Sequence, residues 1–113
     1  MPTLFTRIIR GEIPAKFVKR TDELVAIEDI DPKAPTHVLI ITVREIPTLN
    51  DLEESDAALV GKMVLMARDI AREKGFAESG YRLVLNCNHD GGQSVDHVHL
   101  HLLGGRRMTW PPG

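Results

Sequence analysis

Hydrophobic and polar residues alternate most regularly near the C-terminus, where residues 97–103 read HVHLHLL. Strict alternation is typical of a β-strand, because successive side chains point to opposite faces. His97, His99 and His101 are therefore expected on one face, with the aliphatic residues on the other. Three imidazoles cost free energy when they are buried without hydrogen-bond partners. The pattern therefore favours a site of chemistry over a purely structural strand.

Apolar residues one helical turn apart predict two helices. The first covers residues 4–10 and ends at Gly11, and the second covers about residues 56–74 and ends at Gly75. The apolar residues of the long helix spread over about half of its circumference, which is more than one core requires. A second packing surface is therefore expected, and it favours a homodimer. Gly61 within this helix indicates a close approach by another backbone.

Short apolar or alternating runs predict the strands of one sheet. Residues 37–43 form an almost continuous β-branched run, typical of a central strand covered on both faces. The other runs are residues 16–19, 24–28, 81–86 and 97–103. The predicted class is α+β, a mainly antiparallel sheet of about five strands with one long helix and a short N-terminal helix.

Composition limits the possible partners and the compartment. With 113 residues and 42% hydrophobic content, the chain is expected to form a single domain over residues 1–113. A net charge of −2 predicts no general attraction to nucleic acid or to an anionic membrane. The single cysteine cannot form an internal disulfide, and no apolar run is long enough for a signal or a membrane span. We expect a soluble cytoplasmic protein.

A turn-rich segment directly before the histidines can bind an anion. Asn86 precedes it, and it contains the pair Gly91 and Gly92 followed by Gln93 and Ser94. Paired glycines let backbone N–H groups converge on a phosphate, and the two polar side chains add donors. The sequence therefore predicts a phosphate site beside the alternating strand.

A metal site is the first alternative, because a His-x-His strand can offer two nitrogens to zinc. The outer two of the three histidines begin roughly 13 Å apart on a strand, whereas zinc binds nitrogen at about 2.1 Å. A third ligand would have to come from elsewhere, such as His37. We therefore expect neither a metal nor another cofactor.

Together with the glycine pair, the histidine strand resembles the histidine triad (HIT) superfamily, and specifically its histidine triad nucleotide-binding (HINT) branch. The resemblance covers nearly the whole chain. The shared blocks are residues 8–15 (IIRGEIPA), 29–37 (DIDPKAPTH), 91–106 and 110–113 (WPPG).

The resemblance implies covalent catalysis on a nucleotide. His99 would attack the α-phosphorus of a purine nucleoside phosphoramidate, such as adenosine 5′-monophosphoramidate or adenylated lysine. Water would then hydrolyse the nucleotidyl-histidine. Neighbouring groups would orient His99, hold the phosphate or relay a proton: His97, His101, His37, Asn86, Gly92, Gln93 and Ser94.

The resemblance also implies a nucleotide pocket and a dimer. Phe5, Ile8, Ile27 and Ile30 would contact the base or the sugar, and Asp29 would accept hydrogen bonds from the ribose hydroxyls. In the family the tryptophan that matches Trp110 docks onto the dimer partner near its site. The sequence does not identify any further protein partner.

Two alternatives remain open at this point. The chain could be a dinucleoside polyphosphate hydrolase of the same superfamily, or a nucleotide-binding interaction protein whose catalysis is vestigial. Asp96 stands where many relatives have an aromatic residue, a difference that bears on the choice of leaving group more than on the reaction class.

Overall fold

A five-stranded antiparallel sheet lies between a long helix on one face and a short helix on the other in the computed structural model, which describes residues 1–113. The strands are β1 (Phe17–Arg20), β2 (Leu24–Glu28), β3 (Thr36–Thr42), β4 (Tyr81–Leu85) and β5 (His99–Gly104). The helices are α1 (Leu4–Ile9), α2 (Ala57–Lys74) and α3 (Asn88–Gly91), with 3₁₀ turns at Leu49–Asp51 and Glu54–Asp56. The predicted α+β class is confirmed.

The strand order is β1-β2-β3-β5-β4, and every neighbouring pair is antiparallel. The predicted central strand, β3, lies in the middle with β2 and β5 on either side. Four of its seven residues are apolar and six are buried, on both faces of the sheet, so its backbone is shielded from water. β4 forms one edge of the sheet and β1 the other.

The two faces of the sheet bury separate apolar clusters. Alternate residues of the strands pack under α2, where Met63 and Ile70 have no exposed surface. The residues between them pack under α1 through Phe5 and Ile8. The site lies on the α1 face. α1 has only six residues, so it covers this face of the sheet less completely than α2 covers the other.

The predicted close approach of a backbone to Gly61 is wrong, whereas the second packing surface expected on α2 stays a prediction. The buried residues lie on one face of the helix, whereas Val64 and Leu65 on the outside are 43% and 48% exposed. Met63 is therefore a core residue, and Val64 and Leu65 are the exposed apolar residues of this helix. Gly61 is exposed and a Cβ built there meets nothing within 4 Å, so no backbone approaches it.

A close approach does occur at Gly104, the last residue of β5. A Cβ at this position would overlap the ring of Phe76, which follows the end of α2. Only glycine lets this strand end pass the aromatic ring that closes the core. None of the helices combines the length and the hydrophobicity that a membrane-spanning helix requires.

Candidate active site

β3 and β5 bring three histidines to one face of the sheet. The register pairs Ile41 with His99 and Leu39 with His101, while His37 lies on β3 opposite Leu103. The triad strand begins at His99, so the predicted strand start at residue 97 is two residues early. The reason is that the Val98 N–H bonds to the Ile46 carbonyl, outside the sheet.

His97 is fully buried, and both of its ring nitrogens have partners. Nε2 lies 2.6 Å from the Thr42 carbonyl oxygen, which can only accept, so Nε2 carries the proton. Nδ1 lies 2.6 Å from the Thr3 hydroxyl and accepts its proton. His97 therefore has no free nitrogen, and the geometry suits the orienting role expected from the resemblance.

His99 is held so that one nitrogen stays free. Its Nδ1–H donates to the His97 carbonyl oxygen at 2.7 Å, which leaves a lone pair on Nε2. No buried side-chain nitrogen or oxygen lacks a partner, so this unpaired Nε2 is accessible. The Phe5 ring packs edge-on against His97 and His99, with centroids 5.7 and 4.9 Å away. Nε2 of His99 is thus an accessible nucleophilic lone pair on an immobilised ring.

His37 sets the protonation of His101. The Lys33 N–H donates to Nδ1 of His37 at 3.0 Å, so His37 carries its proton on Nε2. Nε2 of His37 lies 2.9 Å from Nδ1 of His101 and 3.4 Å from a carboxylate oxygen of Asp29. His101 consequently accepts at Nδ1 and keeps a proton on Nε2, which makes it a donor beside His99.

The four histidines are neutral at pH 7. Burial lowers the pKa of His37, His97 and His99 below the ordinary value of 6.5. For His101, burial and the neighbouring His99 and His37 rings together lower the pKa to about 4. Since a neutral imidazole is a nucleophile and an imidazolium is not, the site keeps His99 reactive at neutral pH.

Asp29, His37 and His101 are the one cluster whose geometry could hold a metal, with ligand atoms within 4.8 Å of one another. His37 would have to bind the ion through Nε2, and a neutral imidazole would then carry its proton on Nδ1. The Lys33 N–H already points at Nδ1, so two protons would face each other. These three side chains are therefore better suited to a series of hydrogen bonds that leads to His101 than to a metal site.

An apolar cavity of about 230 Å³ opens beside the triad on the α1 face. It brings together six residues that the sequence analysis places in the nucleotide site: Phe5, Ile8, Ile27, Asp29, Ile30 and Ser94. Its wall also includes Leu39 and Val95, and the segment Ile13–Ala15, which sequence reasoning missed as pocket residues. The IPA segment was a shared motif, and that signal could have identified it. Ile30 is 98% exposed and forms the outer rim.

The loop before β5 contains the short helix α3, which the turn-rich sequence did not predict. Gly92 ends α3 with a left-handed φ of 76°, a conformation that side chains disfavour. The Gln93 amide nitrogen donates to the carbonyls of Pro47 and Val95, at 2.7 and 3.0 Å, and its oxygen accepts from the Asn88 N–H. The predicted role of Gln93 as a phosphate donor is therefore wrong, because both donors are used to shape the loop.

The other two predicted phosphate contacts keep free polar groups. Asn86 follows β4 and is half-buried, and Ser94 is exposed at the cavity wall. Neither side chain forms a hydrogen bond within the protein, so both have donors for a ligand.

Trp110 lies away from the cavity of its own chain. Its ring is 81% exposed and stacks under the guanidinium of Arg82, 5.9 Å from the ring centroid. Arg82 also donates to the Thr109 carbonyl at 2.9 Å, which holds the C-terminal tail against β4. The tail thus lies at the free edge of the sheet.

The fold and the three aligned histidines define a histidine triad domain. Residues 10–108 match the family model described as HIT domain, and the chain belongs to the HIT family. The resemblance to the HIT superfamily is confirmed.

Particular relatives narrow the comparison. A purine nucleoside phosphoramidase of Escherichia coli (strain K12) is 50% identical over 106 residues, which cover 94% of this chain and 89% of that protein. A HIT family hydrolase from Legionella pneumophila Philadelphia 1 has a TM-score of 0.96 at 50% identity, covering 99% of this chain and 100% of that chain. A histidine triad protein from Clostridium difficile has a TM-score of 0.91 at 36% identity, covering 94% of this chain and 92% of that chain.

Proposed function

We propose that this protein is a purine nucleoside phosphoramidase that acts through a nucleotidyl-histidine intermediate. One observation carries the proposal: the free nitrogens at the centre of the site are a lone pair on His99 and an N–H on His101. A nucleophile and a donor side by side are what an attack on phosphorus requires. The relative named purine nucleoside phosphoramidase, identical at half of the aligned positions, supports the same substrate class.

The reaction has two displacements. Nε2 of His99 attacks the α-phosphorus, a nitrogen–phosphorus bond forms, and the bond to the amine breaks as the amine takes up a proton. The His101 N–H donates to the phosphoryl oxygen on which charge develops. Water then attacks the nucleotidyl-histidine and releases the nucleoside monophosphate and neutral His99, and a proton of this water replaces the one that the amine took up.

Binding of the nucleotide follows from the cavity. The purine would pack between Phe5, Ile8 and Ile27, and Asp29 at the cavity edge would accept from the ribose hydroxyls. Asn86 and Ser94 would donate to phosphate oxygens, and Gly92 keeps the loop backbone close to them. Ser94 is our candidate for relaying the proton to the leaving amine.

Mass spectrometry of the purified protein with adenosine 5′-monophosphoramidate tests the proposal. We expect free adenosine monophosphate and a transient adduct on His99. A protein that binds adenosine monophosphate and leaves the phosphoramidate intact would instead be the nucleotide-binding interaction protein with vestigial catalysis.

A competition experiment separates the phosphoramidase from the dinucleoside polyphosphate hydrolase. No lysine or arginine lies between Asn86 and Leu103, so a polyphosphate leaving group finds no neutralising charge in this segment. We expect a much higher kcat/KM for adenosine 5′-monophosphoramidate than for adenosine diphosphate. Equal kcat/KM values for the two substrates would exclude the phosphoramidase function. A Ser94→Ala variant with an unchanged kcat/KM would exclude only the role of Ser94 as proton relay.

We further propose that the protein works as a homodimer without a metal. Lys62 and Glu73 of α2 bond to the β1–β2 hairpin, so Val60 and Val64 lie on the opposite flank, toward the free edge strand β4. A second copy could cover this flank and Trp110 together. Light scattering should give about twice 12.6 kDa, with Val64→Glu dissociating the dimer and Leu65→Glu, on the hairpin side, as its control. A monomeric wild type would contradict the proposal.

Two further expectations concern metal independence and location, and each has its own test. Dialysis against a strong chelator should leave turnover unchanged, and zinc-dependent recovery of a lost activity would contradict metal independence. A cytoplasmic location is supported by the single cysteine, Cys87, which is free and half-buried. Cell fractionation tests that location.

A further inference from the structure

Thr3, just before α1, reaches across the sheet face to the first histidine of the triad. Its hydroxyl lies 2.6 Å from Nδ1 of His97, although the two residues are 94 positions apart in the chain. The Thr42 carbonyl has already placed the His97 proton on Nε2, so Nδ1 can only accept. The hydrogen of the Thr3 hydroxyl therefore points at His97.

The same hydroxyl caps α1. Its oxygen accepts the Thr6 N–H at 3.1 Å, which is the usual N-cap bond. The Thr3 N–H in turn donates to the Glu45 carboxylate at 2.8 Å. Thr3 is thus anchored from both sides while its proton is committed to His97.

His97 transmits this anchoring to the nucleophile. Its ring is held by Thr3 and by Thr42, and its own carbonyl accepts the Nδ1–H of His99. That last bond decides which nitrogen of His99 carries the free lone pair. α1 also supplies Phe5, whose ring packs against both imidazoles. One hydroxyl therefore connects the helix that walls the base pocket with the ring that orients His99.

We infer that Thr3 is a positioning residue for the triad, holding His97 so that the lone pair of His99 is aligned for attack on the α-phosphorus. This inference rests on the proposed phosphoramidase function. Thr3 touches neither phosphate nor leaving group, so its effect reaches the reaction only through His97. Its removal is expected to slow formation of the nucleotidyl-histidine while the base pocket keeps its affinity.

Thr3→Gly is the decisive variant, because glycine caps a helix nearly as well as threonine but has no hydroxyl. In single-turnover reactions with adenosine 5′-monophosphoramidate, we expect adduct formation to slow roughly tenfold, since one net hydrogen bond is worth about that factor. Adenosine monophosphate should bind within about twofold of wild type. Thr3→Val, which keeps the side-chain shape, should give the same loss.

Thr3→Ser restores both the cap and the donor and should recover the wild-type rate. The ¹⁵N signal of His97 Nδ1 provides a direct readout: it should shift in Thr3→Gly and return in Thr3→Ser. Thr21→Gly is the matched control, because the Thr21 hydroxyl likewise accepts a backbone N–H, from Leu24 in the β1–β2 turn. It should leave rate and signal unchanged.

The results of these experiments distinguish a failure of the proposed function from a failure of the inference about Thr3. A wild type that forms no adduct and no free adenosine monophosphate overturns the proposed function itself. If the wild type turns over and Thr3→Gly matches its rate, only the inference about Thr3 fails. An equal loss of rate and of nucleotide affinity in Thr3→Gly would assign Thr3 to the structure of α1 alone.

Discussion

At the scale of single residues, the hydrogen bonds of the site determine which ring nitrogen of each histidine carries the proton. Three of the four imidazoles have one nitrogen whose role a backbone group decides: the Thr42 carbonyl for His97, the His97 carbonyl for His99 and the Lys33 N–H for His37. Backbone groups cannot change between donor and acceptor, so these tautomers are set by the fold. The result is one lone pair and one N–H on neighbouring rings, whose centroids lie 5.0 Å apart.

Removing the lone pair tests this arrangement. His99→Ala should reduce turnover by roughly 10³-fold or more, the scale for loss of a covalent nucleophile, while binding of adenosine monophosphate stays largely intact. His101→Ala should cost less, because it removes a stabilising donor and no bond-forming atom. Steady-state kinetics and calorimetric titration measure both effects. Near-normal turnover of His99→Ala would exclude His99 as the nucleophile.

The lowered pKa of His99 determines the acid side of the pH profile. A pKa below the ordinary 6.5 means that His99 loses its proton at a lower pH, so the reactive neutral form persists further into acid. We expect kcat/KM to stay at its maximum as the pH falls past 6.5 and to decline only at more acidic pH. A half-maximal point at or above 6.5 would show that burial does not control this nucleophile.

At the scale of elements, substitutions at two glycines measure helix propensity and core packing separately. Gly61 lies exposed inside α2 with open space around it, so Gly61→Ala should raise the free energy of unfolding by about 1 kcal/mol. Gly104→Ala places a methyl group against the Phe76 ring and should lower it by about 1 to 3 kcal/mol. Urea unfolding measures both. Equal effects of the two substitutions would contradict the close packing of β5 on Phe76.

The loop before β5 is an element held by side-chain bonds. Gln93 joins Asn88, Val95 and Pro47, so Gln93→Ala should release the loop and leave the triad strand in place. We expect a higher KM with a smaller change in kcat, because the loop holds phosphate while His99 stays on β5. A variant in which kcat falls and KM is unchanged would place Gln93 in the reaction itself.

At the scale of the whole molecule, the buried histidines make stability depend on pH. The pKa values of His37, His97, His99 and His101 are lower in the folded protein than in the unfolded chain, so the unfolded chain binds more protons below 6.5. The free energy of unfolding should therefore decrease from pH 6.5 toward about 4. Glu45, with its ordinary pKa of 4.5 lowered by Thr6 and Thr3, contributes only at the acid end of this window.

Chemical unfolding across this pH window measures the effect. His101→Gln should flatten the slope, and His89→Gln, at a fully exposed ring, should leave it unchanged. A stability that is flat between neutral pH and about 4 would mean that these rings take up protons without cost in the folded state.

Much of the fold could be predicted from the sequence because its signals are local. The period of apolar residues identified α2 to within one residue at its start, and alternation identified β5 and its histidines. The HIT family was recognisable for a similar reason, since its motifs are contiguous blocks. What failed was local as well: the short helix α3 is too brief to show a period, and Gly61 gave no sign of whether anything packs against it.

By itself, then, the sequence determined the order of elements, the face shared by the histidines and the family to which the chain belongs. Only the tertiary structure decided which nitrogen is free, because a tautomer depends on partners brought together through space. Thr3 and His97 are 94 positions apart, His37 and His101 are 64 apart, and no periodicity encodes such pairs. Burial of the rings likewise depends on α1 packing over a distant strand, and that burial keeps the histidines neutral.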